Sequence, residues 1–297
     1  MEYLSALPGA ISQGLVWGLL AIGVYITFKI LNVSDLTVDG SICTGAAVCT
    51  MLIVAGVNPW VAVLAAFAAG LLAGLVMGSL HVFLGIPAIL SGILTQMALW
   101  SVNLKIMGKA NQALPSRTYD VIVTQMQNTK ALIILAAVTA VLIAILYWFF
   151  GTGLGRNVRA TGCNEVMSRT QGINTNAMKL LGLALSNGIV ALSGAFLCQY
   201  QGFADINMGR GAIVIGLAAV VIGEAVVRRI SQNFAVRLIG VSLGAVIYFL
   251  VYQTIIFFGV DTDLLKMLSA LVVAVFLGVP YVQKKLRAKR KEGTSHA

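Results

Sequence analysis

Ala131-Leu132-Ile133-Ile134-Leu135-Ala136-Ala137-Val138-Thr139-Ala140-Val141-Leu142-Ile143-Ala144-Ile145-Leu146-Tyr147-Trp148-Phe149-Phe150 is a run of twenty residues without a charge. After a short corner it meets Gly155-Arg156-Asn157-Val158-Arg159-Ala160-Thr161-Gly162-Cys163-Asn164-Glu165. A helix of about twenty apolar residues is about 30 Å long, the thickness of a bilayer's hydrocarbon core. The polar insert continues through Ser168-Arg169-Thr170-Gln171-Gly172-Ile173-Asn174, and apolar sequence resumes after Lys179. The pattern is therefore span, short basic loop, span. The positive-inside bias assigns such a loop to the cytoplasm.

Composition extends that reading to the whole chain. Of 297 residues, 59% are hydrophobic and only 10% charged, with a mean hydropathy of +0.93. A soluble domain carries about a quarter charged residues, so most of this surface must face lipid. The fold class is all-α, a polytopic transmembrane helical bundle with some broken or re-entrant spans. The net charge of +10 does not point to nucleic acid, because the basic residues gather in loops and the tail rather than in one patch. Cys43, Cys49, Cys163 and Cys198 form no CxxC, and His81 and His296 are the only histidines. No metal, cofactor or disulfide framework is expected. Met1-Glu2-Tyr3-Leu4 lacks the basic start of a secretory signal, so the first apolar run is read as structure.

The spans run Gly9 to Leu31, Ser41 to Gly56, Pro59 to Leu80, Pro87 to Met107 and Ala131 to Phe150. Beyond the basic loop come Met178 to Tyr200, Gly211 to Val227, Phe234 to Phe258 and Leu264 to Tyr281. Nine segments result, within a range of about eight to ten because Gly-rich breaks blur the boundaries. Residues 1–283 form the membrane domain, with the loop at 152–177, and 284–297 are a basic tail. Three groups mark the cytoplasmic side: the loop, Arg228-Arg229 with Arg237, and the tail from Lys284 to Lys291. An even number of spans separates each from the next, which places the N-terminus outside. Parity also puts 108–130 outside despite Lys109, Arg117 and Lys130, as a solvated connector or as a docking lip for an external partner.

Glycines at four-residue spacing, Gly70/Gly74/Gly78, Gly14/Gly18 and Gly240/Gly244, line single helix faces and predict close backbone approach. The break Leu31-Asn32-Val33-Ser34-Asp35-Leu36-Thr37-Val38-Asp39-Gly40-Ser41 sets two carboxylates between apolar helices. Either Asp39 and Ser41 cap the next helix at an interfacial turn, or a discontinuous helix borders a solute path. Lys29 is the candidate partner of Asp35, and Arg228 that of Glu224, four residues before it. Arg210, after Asp205-Ile206-Asn207, is read as the interfacial end of a span. No Walker, His-Glu-x-x-His or Gly-x-Ser-x-Gly motif occurs. Any energised work must use a nucleotide handled by another subunit.

Gly155-Arg156-Asn157, then Ala160-x-Gly162-x-Asn164-Glu165 and Gln171-Gly172-Ile173-Asn174, resemble the permease subunits of bacterial ABC importers of the branched-chain amino acid and ribose type. Asp35-Leu36-Thr37-Val38-Asp39-Gly40-Ser41 is similar to that family's stretch near the translocation path. Ile86-Pro87-Ala88-Ile89-Leu90-Ser91-Gly92-Ile93-Leu94-Thr95 looks like the subgroup of tryptophan/tyrosine transport permeases. Cys163 and Met167 depart from the small residues common in the first segment. The resemblance implies a multi-pass protein of the bacterial inner membrane, a homodimer, with cytoplasmic ATPase subunits and an extracytoplasmic solute-binding protein as partners. It implies that Gly155, Arg156, Asn157, Arg159, Ala160, Gly162, Asn164, Glu165 and Gly172 couple to the ATPase. It also implies that Asp35, Thr37, Asp39 and Ser41 border the path. The expected function is passage of a small solute, a hydrophobic or aromatic amino acid, without chemistry by this chain. The same class carrying a nucleoside or sugar, an ion-coupled secondary transporter, and a non-transporting scaffold are the alternatives. The secondary transporter needs inverted halves with paired breaks, and the break at 31–41 has no clear counterpart in the second half.

Overall fold

The computed structural model describes residues 2–227 and 233–257, with isolated residues from 267 to 278; of residues 2–6 only the backbone is described. The expected ninth span, Leu264 to Tyr281, therefore lies largely outside the described residues, as do Arg228, Arg229 and the basic tail.

The other expected spans are all helices, because backbone polar groups in lipid must bond within their own segment. They are α1 (Glu2–Tyr25, ending in a π turn, Ile26–Ile30), α2 (Val38–Val54), α3 (Pro59–Val82) and α4 (Ala88–Met107). A short strand β1 (Asn111–Ala113) precedes α5 (Asn128–Gly151). The basic insert folds as α6 (Gly153–Cys163) and α7 (Glu165–Thr170). Then follow α8 (Thr175–Gln201), β2 (Phe203–Asp205), α9 (Ala212–Val227) and α10 (Phe234–Phe257).

Six of the described helices are long and apolar enough to cross a membrane, and α2 and α9 are shorter. At 17 and 16 residues those two reach about 25 Å, short of a full crossing. α1 and α8 form the buried centre, whereas α4 and α5 lie at the periphery. Small polar side chains tie the centre together: Ser186 donates to the Gly23 carbonyl and Ser193 to that of Val16, both at 2.8 Å. The glycine faces act within the chain, as their spacing predicts. Gly70 and Gly74 lie against the α8 backbone, Gly14 and Gly18 against α10, and Gly244 against α9.

One end of the bundle carries α6 and α7 and is called the basic end. The other carries the antiparallel pair β1–β2, with Gln112 opposite Ala204. The 108–130 loop is thus more than a connector: it pairs with the segment after α8. Its Leu114 and Val123 are fully buried, and the Ile122 N–H donates to Gln199 Oε1 at 2.9 Å.

Candidate functional site

α2 begins halfway through the bundle. Ser41, in its first turn, bonds Asn187 in the middle of α8, and Gly40 abuts Gln96 in the middle of α4. The chain reaches that level from the basic end through the extended segment 31–37. α9 begins at the same level, because Gly209 lies against the Asp39 carbonyl. Here the chain arrives from the opposite end, through residues 206–211. The two short helices run apart from a shared midpoint. The 31–41 break therefore has a counterpart in the second half, contrary to the sequence reading. Asp205, Asn207 and Arg210 resembled the polar margin of a span because only tertiary structure reveals that the segment dips inward.

The two breaks are stitched by polar atoms. Asp39 does not cap its own helix: its Oδ2 accepts the Gly211 N–H and its Oδ1 the Ile213 N–H, both at 2.9 Å, so it caps α9. The donors are orphan amides of a helix start, and the carboxylate complements the dipole there. Cys43 accepts the Gly209 N–H at 3.2 Å and faces the Ile206 carbonyl at 3.4 Å.

Asp35 lies deeper, 2% exposed. Its Oδ1 accepts the Thr37 N–H at 2.8 Å and its Oδ2 accepts Asn187 Nδ2 at 2.7 Å. Ser41 Oγ donates to Asn187 Oδ1 at 2.6 Å. Lys29, expected beside Asp35, instead pairs with Glu224 at 2.8 Å. The π turn directs Lys29 towards α9, while the chain beyond Leu31 turns inward and carries Asp35 to α8. Arg228, expected beside Glu224, lies outside the described residues. Asn187 escaped the sequence reading, although an amide inside an apolar run is a visible signal of an interior polar contact.

Of Asp35, Thr37, Asp39 and Ser41, Asp39 alone lines an open-sided groove of about 470 Å³, and the other three are buried behind it. The groove runs between the shared midpoint and α4, whose Gln96, Trp100 and Asn103 form one wall. Arg210 stands on the other side. None of these four was singled out from sequence as a groove residue.

At the basic end the local structure follows the sequence closely. Thr152 caps α6 through the Gly155 N–H at 3.3 Å, Asn164 caps α7 through that of Met167 at 3.0 Å, and Asn174 caps α8 through that of Ala177 at 3.1 Å. Gly172, with φ +81°, supplies the left-handed turn between α7 and α8. Glu165 accepts Lys179 Nζ and Arg169 Nη2, both at 2.7 Å. The Lys179 hydrogen bond, helped by the Arg169 charge, holds the Glu165 carboxyl below the usual glutamate range. Arg159 lies over the Phe234 ring, 5.2 Å from its centroid. Arg156 is exposed, Asn157 and Ala160 are half-buried, and the outward tip is apolar: Val166 is 74% and Met167 58% exposed. The sequence reading had put the weight on the polar residues.

This corner is linked to the midpoint through segment 31–37. Any Cβ at Gly162 would strike the carbonyl of Ile30, so the α6 backbone rests on the end of the π turn from which segment 31–37 departs. A pocket of about 460 Å³ lies alongside, lined by Asn32, Ser34, His81, Cys163, Glu165 and Lys179 among others.

Residues 7–278 match the family model described as the permease component of a branched-chain amino acid transport system. The chain is 37% identical over 292 residues to a tyrosine transport system permease protein of Clostridioides difficile (strain R20291), covering 96% of each. It is 31% identical over 270 residues to an uncharacterized protein of Rickettsia prowazekii (strain Madrid E), covering 90% of this chain and 95% of that one. To the autoinducer 2 import system permease protein LsrC of Escherichia coli (strain K12 / DH10B) it is 29% identical over 231 residues, 75% of this chain and 65% of LsrC. No solved structure matches. With nearly the whole chain matched and a bundle of membrane-spanning helices to carry it, this multi-pass inner-membrane protein belongs to the family of branched-chain amino acid transport system permease components.

Proposed function

We propose that the chain is the membrane subunit of an ATP-driven importer and that its cargo is an aromatic amino acid. The α6–α7 corner is the part a cytoplasmic ATPase grips, with Val166 and Met167 entering its groove and Arg156 at the rim. The observation that carries this reading is the backbone contact of Gly162 with Ile30. A push on α6 passes without slack into segment 31–37, and from there to Asp39 at the groove. Packed interfaces transmit such a displacement as rigid-body motion. The groove is one wall of the path, and a second copy of the chain supplies the other. The 108–130 loop and β2 form the outer face on which a solute-binding protein docks. The cargo follows the tyrosine transport relative, and LsrC keeps an autoinducer 2-type solute as the alternative.

The test is reconstitution with the ATPase and binding protein. Val166→Glu combined with Met167→Glu should abolish solute-stimulated ATP hydrolysis while leaving the permease folded. Unchanged stimulation would remove the corner from its role. The paired short helices are also a device of ion-coupled carriers. Uptake by this chain alone, driven by a sodium or proton gradient, would favour that reading.

A further inference from the structure

We infer that the groove at the shared midpoint recognises the zwitterionic head of an L-amino acid, with Arg210 taking the carboxylate, Asp39 and Asn103 the ammonium, and Trp100 and Met97 the side chain. The inference rests on the import reading above and adds to it the site and the group each residue reads.

Four observations converge. First, the groove's volume, about 470 Å³, lies within the range of about 300–1,000 Å³ typical of small-molecule sites. Second, it is lined by opposite charges, Asp39 and Arg210. Asp39 spends one lone pair of each oxygen on the α9 amides, and a carboxylate has about four such positions, so acceptor capacity remains. Arg210 is exposed and forms no ion pair among the described residues. Because Asp39 already satisfies the α9 N-terminus, an incoming carboxylate is directed to the guanidinium, whose planar fork can bind it in bidentate fashion.

Third, Asn103 is fully buried, its Nδ2 donates to the Gly40 carbonyl at 3.5 Å, and its Oδ1 has no partner. An unsatisfied buried acceptor in a groove wall calls for a donor, and an ammonium has three. Fourth, that wall also carries a large ring and a thioether: Trp100 is 45% and Met97 66% exposed. A flat aromatic side chain stacks on the first and meets the sulfur of the second. A sugar or nucleoside would leave the two charges unused.

The experiment measures binding of radiolabelled L-tyrosine to the full chain in lipid nanodiscs, with unlabelled competitors. Tyramine lacks the carboxylate, 3-(4-hydroxyphenyl)propionate lacks the ammonium, and D-ribose lacks both. L-Tyrosine should compete at least about tenfold better than either analogue, and ribose not at all. Arg210→Gln should weaken L-tyrosine about tenfold and abolish its advantage over tyramine. Arg210→Lys should keep the advantage at reduced affinity, which separates loss of recognition from loss of fold. Asn103→Leu should shrink the penalty for removing the ammonium. Equal competition by all three phenolic compounds, no saturable L-tyrosine binding, or an Arg210→Gln profile like the wild type would each overturn the inference. Cellular uptake separates it from the import reading. If deleting this chain leaves tyrosine uptake intact and abolishes that of a sugar, the cargo reading falls with it. If tyrosine uptake needs the chain but Arg210→Gln changes nothing, only the recognition site falls.

Discussion

The two breaks that meet at the bundle's midpoint are built to opposite specifications. Segment 31–37 is closed at its inner end: Asp35 is buried, and both its oxygens are engaged by groups of the same chain. Segment 206–211 is open: Arg210 is exposed, and the helix start behind it is capped from across the interface by Asp39. A polar group sealed inside a membrane protein must be fully bonded, whereas one at a groove can keep capacity for a ligand. The first break is therefore a strut between the basic corner and the midpoint, and the second is the rim of the groove proposed to hold a solute. If that division holds, substitutions in the strut should cost stability or coupling, and those at the rim should cost little of either.

Asn187→Leu is the harshest test of the strut. It leaves Asp35 buried with one partner fewer, and a buried polar group stripped of a hydrogen-bond partner costs about 1–3 kcal/mol, more when it is charged. The variant should fail to yield a monodisperse protein by fluorescence-detected size exclusion. Asp35→Asn combined with Asn187→Leu, which removes the carboxyl too, should recover part of the loss. Normal yield and melting temperature for Asn187→Leu alone would make Asp35 an ordinary loop residue. Next in size is Gly162→Val. Its side chain has no space against the Ile30 carbonyl, so α6 must lift away from the π turn. The protein should still insert and bind its ATPase, but solute-stimulated hydrolysis in proteoliposomes should fall about tenfold or more, as expected when about 1.4 kcal/mol of coupling is lost. Retained stimulation would show that force enters elsewhere.

How legible was this in the sequence? The helices were, because an uncharged run such as 131–150 has only one way to satisfy its backbone in lipid. The helix caps at Thr152, Asn164 and Asn174 depend on residues three positions away and so carry a local signal, but the sequence reading treated that stretch as a loop. The groove was not legible. Asp35 meets Asn187 across 152 residues and Asp39 meets Gly211 across 172, and no local pattern encodes which of several polar residues will be neighbours. Lys29 was assigned to Asp35 by proximity in sequence, yet the π turn redirects it to Glu224. A π turn has no compositional signature in Ile26-Thr27-Phe28-Lys29-Ile30. The exposed Val166 was passed over, and Met167 noted only as a departure from the family pattern, for a related reason, since an apolar residue in a membrane protein does not by itself say whether it meets lipid or a partner.

At the rim the expected changes are smaller. Asp39→Asn keeps one acceptor for the α9 amides and loses the charge that complements the helix dipole. Loss of a helix cap costs about 0.5–2 kcal/mol, and an amide replacement belongs at the lower end. The melting temperature should drop by only a few degrees. Binding of a positively charged headgroup should suffer more than stability does. A collapse comparable to that of Asn187→Leu would erase the distinction between strut and rim.

The smallest effect belongs to Glu165, which sits on neither break but fixes the corner that packs against the start of one of them. Its carboxyl is held below the usual glutamate range by the Lys179 hydrogen bond, with Arg169 as the second cation. A group whose pKa is depressed in the folded state adds stability above its ordinary pKa and loses it as pH falls through the depressed one. The corner should therefore keep its shape from neutral pH down through the ordinary glutamate range and loosen only below it. Partly exposed pairs of this kind contribute about 0–1 kcal/mol, so Glu165→Gln should leave the melting temperature nearly unchanged. Hydrogen exchange is the sensitive readout, because local opening is visible where global stability is not. In Glu165→Gln the amides of α7 should exchange several-fold faster at neutral pH, while those of α2 and α9 keep their wild-type rates. Faster exchange at the start of α2 as well would mean that the strut depends on the ion pairs of the corner and not on the backbone contact at Gly162.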